Sequence, residues 1–330
     1  MPLFGRSIAM RDWMERHQVW VYLIAISAGL GLGLGQPEAA ARLDPLLWPL
    51  LGALLYATFT QVPLLHVGHG LTDVRFLGAL LVGNFVVIPL LVGGLVSNLP
   101  LAPAVQLGVM LVLLVPCTDW FISFTHLGRG DTGRAIASTP VLLLMQLLAL
   151  PVYLWLFLGS NLVEAALSTH LLTAFAGLIL APLVLAWITE RLAERRPRAT
   201  ALVEGLGLLP VPLLAMVVFV IAASQVATIS GLTGVLIQVA LIFVAYLVAA
   251  VFLGKWLGRL FGLRDRPTRT LAFSFGTRNS FVMLPIALAL PEAWQAAVVV
   301  IVFQSLIELF GMAAYLHWIP NRLIPDAIDQ

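Results

Sequence analysis

Long apolar runs alternate with short polar links along the whole chain. Ten runs stand out: Val19–Gly35, Leu46–His66, Phe76–Ser97, Leu101–Leu127, Ile136–Leu158, Leu167–Thr189, Leu202–Ser224, Gly231–Leu257, Thr270–Leu290 and Ala293–His317. Each is close to the roughly 20 residues that an α-helix needs to cross hydrocarbon. The runs are continuous and do not alternate with period two, so they predict helices and not barrel strands. The links between them ("GQPEAAARLDP", "SNLPLAP", "GRGDTGR", "LPEAW") are short and rich in turn residues. None is long enough to separate domains, so residues 1–330 are expected to form one integral unit.

Composition agrees with that pattern. The chain of 330 residues is 61% hydrophobic and 10% charged, where a soluble domain carries about a quarter charged residues. The expected class is an all-α membrane protein embedded in the lipid bilayer. A net charge of +2 gives no reason to expect nucleic acid as a partner. One cysteine excludes an intramolecular disulfide and a cysteine-cluster metal site. There is no metalloprotease HExxH, no P-loop and no nucleophile elbow, so neither an enzyme nor a cofactor or metal is expected. The opening "MPLFGRSIAMRDWMERHQ" is charged and lacks the short apolar run and cleavage site of a signal peptide.

The basic residues orient the chain. Sixteen of the 18 lysines and arginines fall in alternate links, and the opposite links hold only Arg42. Positive charge collects on the cytoplasmic side, so both termini are expected there, in a multi-pass protein of the cell (inner or plasma) membrane. The remaining arginine, Arg278, lies inside the ninth run. Ten spans divide into two halves, about 18–160 and 167–318. An odd-numbered half reverses its direction, which predicts two inverted five-helix repeats. The fourth run is interrupted at Pro116, and its counterpart, the ninth, carries "SFGTRNS" in its middle. Interrupted helices in corresponding positions of two repeats point to a transport site, with helices 4 and 9 broken and crossing.

The chemistry collects at those two interruptions. "VPCTDWFISF" brings Cys117, Thr118 and Asp119 together after Pro116, and "TRNS" brings Arg278, Asn279 and Ser280. Intramembrane charges are costly and mark function or mutual pairing. Asp119 and Arg278 are therefore expected either to form a substrate or gating pair or to neutralise each other as a structural salt bridge. Thr118, Thr277, Asn279 and Ser280 can bond the freed backbone or a ligand. Glu308 and Gln304 lie one turn apart on one face of the last run. Glu308 is either a proton carrier or a residue that reaches water near the cytoplasmic end. Asn84 with Pro89, and Gln61 with Pro63, are expected to kink or tie their helices. Trp48, Trp120, Trp294 and Trp318 suit interfacial anchors, although Trp120 follows the break and could wall a site. "GLGLGLG", Gly29 to Gly35, is expected to favour close helix packing.

With these residues in place, the chain resembles the arsenite permeases and, more distantly, the bile acid:sodium symporters of the same superfamily. "PCT" is Pro116-Cys117-Thr118, and "LGRGD", Leu127 to Asp131, follows at the permease distance with Arg129 in place of the permease lysine. "RFLGALLVGNFVVIPLLVGGLV" and "LDPLLWPLLGALLYATFTQVPL" extend the likeness over nearly the whole chain. The resemblance implies a secondary transporter with a panel and a core, the core holding two crossing broken helices. It also implies that Cys117 is the thiol for arsenite or antimonite, and thiolates do bind soft, thiophilic metalloids. The ninth run departs from both patterns. The permeases have Asn-x-Phe-Glu where this chain has Asn279-Ser280-Phe281-Val282. The symporters have Glu-x-Gly-x-Gln-Asn, with the Glu and Gln serving sodium, where this chain has Ser274-Phe275-Gly276-Thr277-Arg278-Asn279.

Two functions follow as expectations. One is proton-coupled efflux of a metalloid oxyacid, with Cys117 touching the substrate and Asp119 titrating. The other is transport of a small organic anion with Arg278 as its partner, since guanidinium binds carboxylate bidentately. The coupling ion is a proton or sodium, and Asp119 and Glu308 are the proton-coupling candidates.

Overall fold

The computed structural model describes residues 2–66, 73–96, 99–118, 120–166 and 173–326. The chain is all-helical, with no strand among the described residues. In chain order, α1 is Pro2–Gly35, α2 Leu47–Phe59, α3 Val74–Val96, α4 Pro103–Leu114, α5 Trp120–Leu127, α6 Thr132–Ala166 and α7 Thr173–Ala193. Then follow α8 Pro197–Leu206, α9 Pro210–Ser224, α10 Val226–Leu260, α11 Asp265–Gly276, α12 Ser280–Leu288 and α13 Ala296–Trp318.

Among the described residues, six helices are long and apolar enough to cross a membrane, or seven if α8 and α9, bent by 41°, make one crossing. The ten expected runs exceed that number for a physical reason. Three of them contain interrupted helices. Leu46–His66 holds α2 and then a turn at Thr60 and Gln61. Leu101–Leu127 is divided into α4 and α5, and Thr270–Leu290 into the end of α11 and α12. Hydropathy detects an apolar run whether or not its backbone is continuous.

The helices form two packing groups. In one, α9 lies along α1 and against α2, which packs on α7. In the other, α13 packs on α4, α10 and α12, and α10 lies along α11. Close approach of α1 and α9 depends on Gly29 and Gly33, one turn apart. A Cβ at either would sit 2.4 Å from a carbonyl oxygen of α9, that of Phe219 or of Ala223. Gly31 and Gly35 face open space, so half of the glycine run carries the packing that small residues favour.

Apolar side chains cover the outside: Trp20, Ile24, Leu90, Leu148, Leu241, Phe252 and Phe310 are all exposed. Charged and amide side chains are inside, including Arg269, Arg278, Asn84, Gln304 and Glu308. A surface this apolar is unstable in water and suited to lipid. With its several long apolar helices, the chain is a multi-pass membrane protein.

Candidate functional site: two bridged helix breaks beside a cavity

Pro116 ends α4 by a local mechanism. It has no N–H to continue the ladder, and its ring disfavours a helical residue before it. Val115 accordingly turns extended, at φ −109° and ψ 116°. The second break has no proline. Thr277 is extended at φ −93° and ψ 130°, and Asn279 caps the next helix by accepting the Val282 amide at 3.2 Å. Gly276 is needed just before it, because a Cβ there would lie 2.5 Å from the Tyr315 ring.

The two breaks satisfy one another. Pro116 and Arg278 form an antiparallel bridge. The Cys117 amide donates to the Thr277 carbonyl at 3.2 Å, and the Asn279 amide to the Val115 carbonyl at 2.8 Å. Backbone groups freed in hydrocarbon are costly, and here each break supplies partners to the other.

Arg278 sits at this junction, 1% exposed. Its guanidinium donates to the Ser274 carbonyl (2.6 Å), the Asn84 Oδ1 (2.9 Å) and the Leu113 carbonyl (3.3 Å). It lies 5.7 Å from the centre of the Tyr246 ring. Leu113 and Ser274 belong to the last turns of α4 and α11, the negative ends of those helix dipoles. Among the described residues no carboxylate is in ion-pair contact with the guanidinium. The expected partner, Asp119, lies outside the described residues.

The backbone of Arg278 meets a second network. Its amide donates to Glu308 Oε2 at 2.9 Å, and Gln304 Nε2 donates to the same oxygen at 2.6 Å. Ser280 Oγ donates to Gln304 Oε1 at 2.9 Å, and Ser305 Oγ to Ser280 Oγ at 2.8 Å. These donors run in one direction, toward the Glu308 carboxylate, so each bond polarises the next. The shared face of Gln304 and Glu308 is as the sequence predicts. A Glu308 that reaches water is corrected: the residue is 1% exposed and packs behind the second break.

Four polar residues at the breaks were expected to bond either backbone or ligand, and the structure separates them. Thr277 Oγ1 donates to the Phe273 carbonyl at 2.9 Å. Asn279 caps α12, and Ser280 joins the Gln304 chain. Thr118 differs. Its hydroxyl is fully buried without a partner among the described residues, and it lines a cavity of about 290 Å³ between the two packing groups.

That cavity is bounded by α1 (Gln18, Tyr22), the end of the second run (Thr58, Gln61), Trp120 and Phe281. Among the described residues, Gln18 Oε1 and Thr58 Oγ1 are, like the Thr118 hydroxyl, buried without a hydrogen-bond partner. Trp120 is no interfacial anchor. It stands edge-on to Phe281 at 5.4 Å and stacks on Tyr22 at 6.5 Å. The described lining carries no Lys, Arg, Asp or Glu. Cys117 is buried in the break and is not among the described lining residues. Gln18, Thr58, Asn84 and Ser274 had no signal strong enough to mark them as site residues in sequence. They are single polar residues in apolar runs, and only their distant neighbours distinguish them.

Beside the breaks, the GRGD turn holds the helix ends. Arg129 adopts the left-handed conformation at φ 57°. The Asp131 amide donates to Thr270 Oγ1 at 2.8 Å, and Arg134 Nε pairs with Asp73 at 2.7 Å. Asp73 also caps α3 by accepting the Phe76 amide at 3.0 Å. Burial raises the Asp73 pKa, but the Phe76 amide and Arg134 outweigh it and hold the carboxyl below its ordinary value.

Two broken helices that face each other inside a multi-pass bundle, next to a cavity with unpaired polar groups, define the class of membrane transporters. The model of the Sodium Bile acid symporter family matches residues 48–232, more than half of the chain, and the protein belongs to that family. It is a membrane transporter of the bile acid:sodium symporter type. The matched stretch contains the first break and ends before the second. No curated protein matches the chain.

Proposed function

We propose that the protein is a secondary active transporter of a small organic solute with an apolar body and a few hydrogen-bonding groups. The observation that carries this is the Thr118 hydroxyl, buried, without a partner among the described residues and lining the cavity at the bridged break. A buried polar group without a partner is destabilising, and a solute that bonds Thr118, Thr58 and Gln18 relieves that cost while its body meets Tyr22, Trp120 and Phe281. The surrounding frame is ten transmembrane helices in two inverted five-helix repeats, with both termini cytoplasmic in the cell inner membrane. Reporter fusions after Arg198 and Arg322 are expected on one side and one within 161–164 on the other. A shared side for all three would refute this frame.

In this frame Cys117, Thr118, Asp119, Arg278, Asn279 and Ser280 form or support the site, and Asp119 and Glu308 are the groups that couple transport to protons. The organic solute is not held by Arg278 as an anion partner, because Arg278 is not among the described lining residues and its Nη1 and Nη2 already serve three protein oxygens. Uptake of labelled organic solutes into proteoliposomes, with and without a pH gradient, tests the proposal. Thr118→Val is expected to raise KM by about 2- to 10-fold, the value of one hydrogen bond. Unchanged uptake in Thr118→Val and in Gln18→Leu would remove the cavity from the mechanism.

Metalloid efflux has one observation of its own: Cys117, the only thiol, is in the break beside Thr118. The same vesicles loaded with arsenite decide between the two. Under this second reading Cys117→Ser abolishes arsenite transport, whereas under the first neither protein moves arsenite.

A further inference from the structure

Backbone carbonyls at helix breaks, and the C-terminal ends of half-helices, are the groups with which transporters coordinate a coupling cation. In this protein those groups are already occupied. The carbonyls of Leu113 and Ser274, from the C-terminal turns of α4 and α11, converge with Asn84 Oδ1 on the Arg278 guanidinium at 2.6–3.3 Å. This is an all-oxygen donor set, neutral in itself and made more negative by two helix dipoles, of the kind that suits a hard cation. It holds a positive charge that belongs to the protein. The π-helical turn Gly83–Val87 accompanies the inward placement of Asn84, which also donates to Ser274 Oγ at 3.0 Å. The packing of α3 thus contributes to the cage as well as the two breaks.

We infer that Arg278 is a tethered replacement for the coupling cation, so that this member of a sodium symporter family neither binds nor requires sodium at its helix breaks. A second cation beside the guanidinium would be repelled at short range and would find its oxygen ligands taken. Removing the guanidinium while leaving the oxygens in place turns the cage into a site for a free monovalent cation. The inference rests on the reading of the protein as a secondary transporter. It does not depend on which solute is carried.

The test uses the full chain, purified in detergent, with thermal stability measured in NaCl, KCl and choline chloride at equal ionic strength. The wild-type protein is expected to melt at the same temperature in all three salts. Arg278→Gln is expected to melt at least about 2 °C higher in NaCl or KCl than in choline chloride, as a protein does when a cation binds only its folded state. A sodium-specific rise in the wild-type protein would overturn the inference. So would an Arg278→Gln variant indifferent to all three salts. If that variant does not survive purification, the fraction that is monodisperse after extraction in each salt becomes the readout, and equal fractions would likewise overturn it. None of these results depends on solute uptake, so failure of the cavity proposal and failure of this one are distinguishable.

Discussion

Arg269 and Arg278 lie nine positions apart, one within α11 and one just beyond it, and both are buried completely or nearly so. Their surroundings differ. Arg269 donates through Nε to the Ile324 carbonyl at 2.7 Å and through Nη1 to the Arg129 carbonyl at 3.0 Å, and it pairs with Asp326 at 2.8 Å. It joins the start of the broken helix to the GRGD turn and to the segment after α13, with its charge balanced by a carboxylate. Arg278 has no such carboxylate among the described residues, and its charge is held by carbonyls, an amide oxygen and helix dipoles. The comparison separates two uses of a buried arginine. A neutralised arginine with long-range partners is a staple. One whose described side-chain partners are neutral oxygens beside two helix breaks is, under the inference above, a charge kept in place for its electrostatic effect.

The largest effect that tests this contrast is on stability. Arg269→Met removes the ion pair and leaves two carbonyls without donors, and it is expected to cost about 3 kcal/mol. Thermal melts of the purified protein measure it. Arg278→Met loses three hydrogen bonds but also removes a buried charge that no carboxylate among the described residues pairs, so its net cost is expected to be only about 1 kcal/mol. The reverse order would show that Arg278 is the staple and would remove the distinction.

The smallest effect concerns the half-buried Asp73–Arg134 pair beside the GRGD turn to which Arg269 also donates. The Asp73 pKa is lowered by its cap and by Arg134, after burial has been outweighed, from an ordinary value of 3.8. A carboxyl with a depressed folded-state pKa contributes stability above its unfolded value and loses it as pH falls through the folded one. Asp73→Asn is therefore expected to melt slightly below the wild type at neutral pH, and the gap should close as pH falls below 3.8. A gap independent of pH would mean that the charge on Asp73 contributes nothing to stability.

Several features of the site were visible before any folding. Pro116 marks the first break because a missing N–H is a property of one residue. The spacing of Gln304 and Glu308 on one face follows from the helical period. Asn84 was legible only as a residue that ties or kinks α3. Its role as an acceptor for Arg278 was not, because the two are 194 positions apart. The separation of Thr118 from Thr277, Asn279 and Ser280 was equally hidden. All four are small polar residues at a break, and their difference depends on which had a neighbour within bonding distance.

The sequence by itself determined that this chain belongs in a membrane, and it placed both interruptions and the one thiol with its neighbours. These are local or compositional properties: hydropathy, the geometry of proline and the helical period. The tertiary structure alone decided that the breaks bond each other and that Glu308 is buried behind them. It also decided that Arg278 takes up the oxygens at the helix ends, and that the cavity opens to Thr118. Each of these depends on groups brought together from distant segments, and in a low-dielectric interior the identity of the nearest oxygen decides whether a charge or a hydroxyl is satisfied.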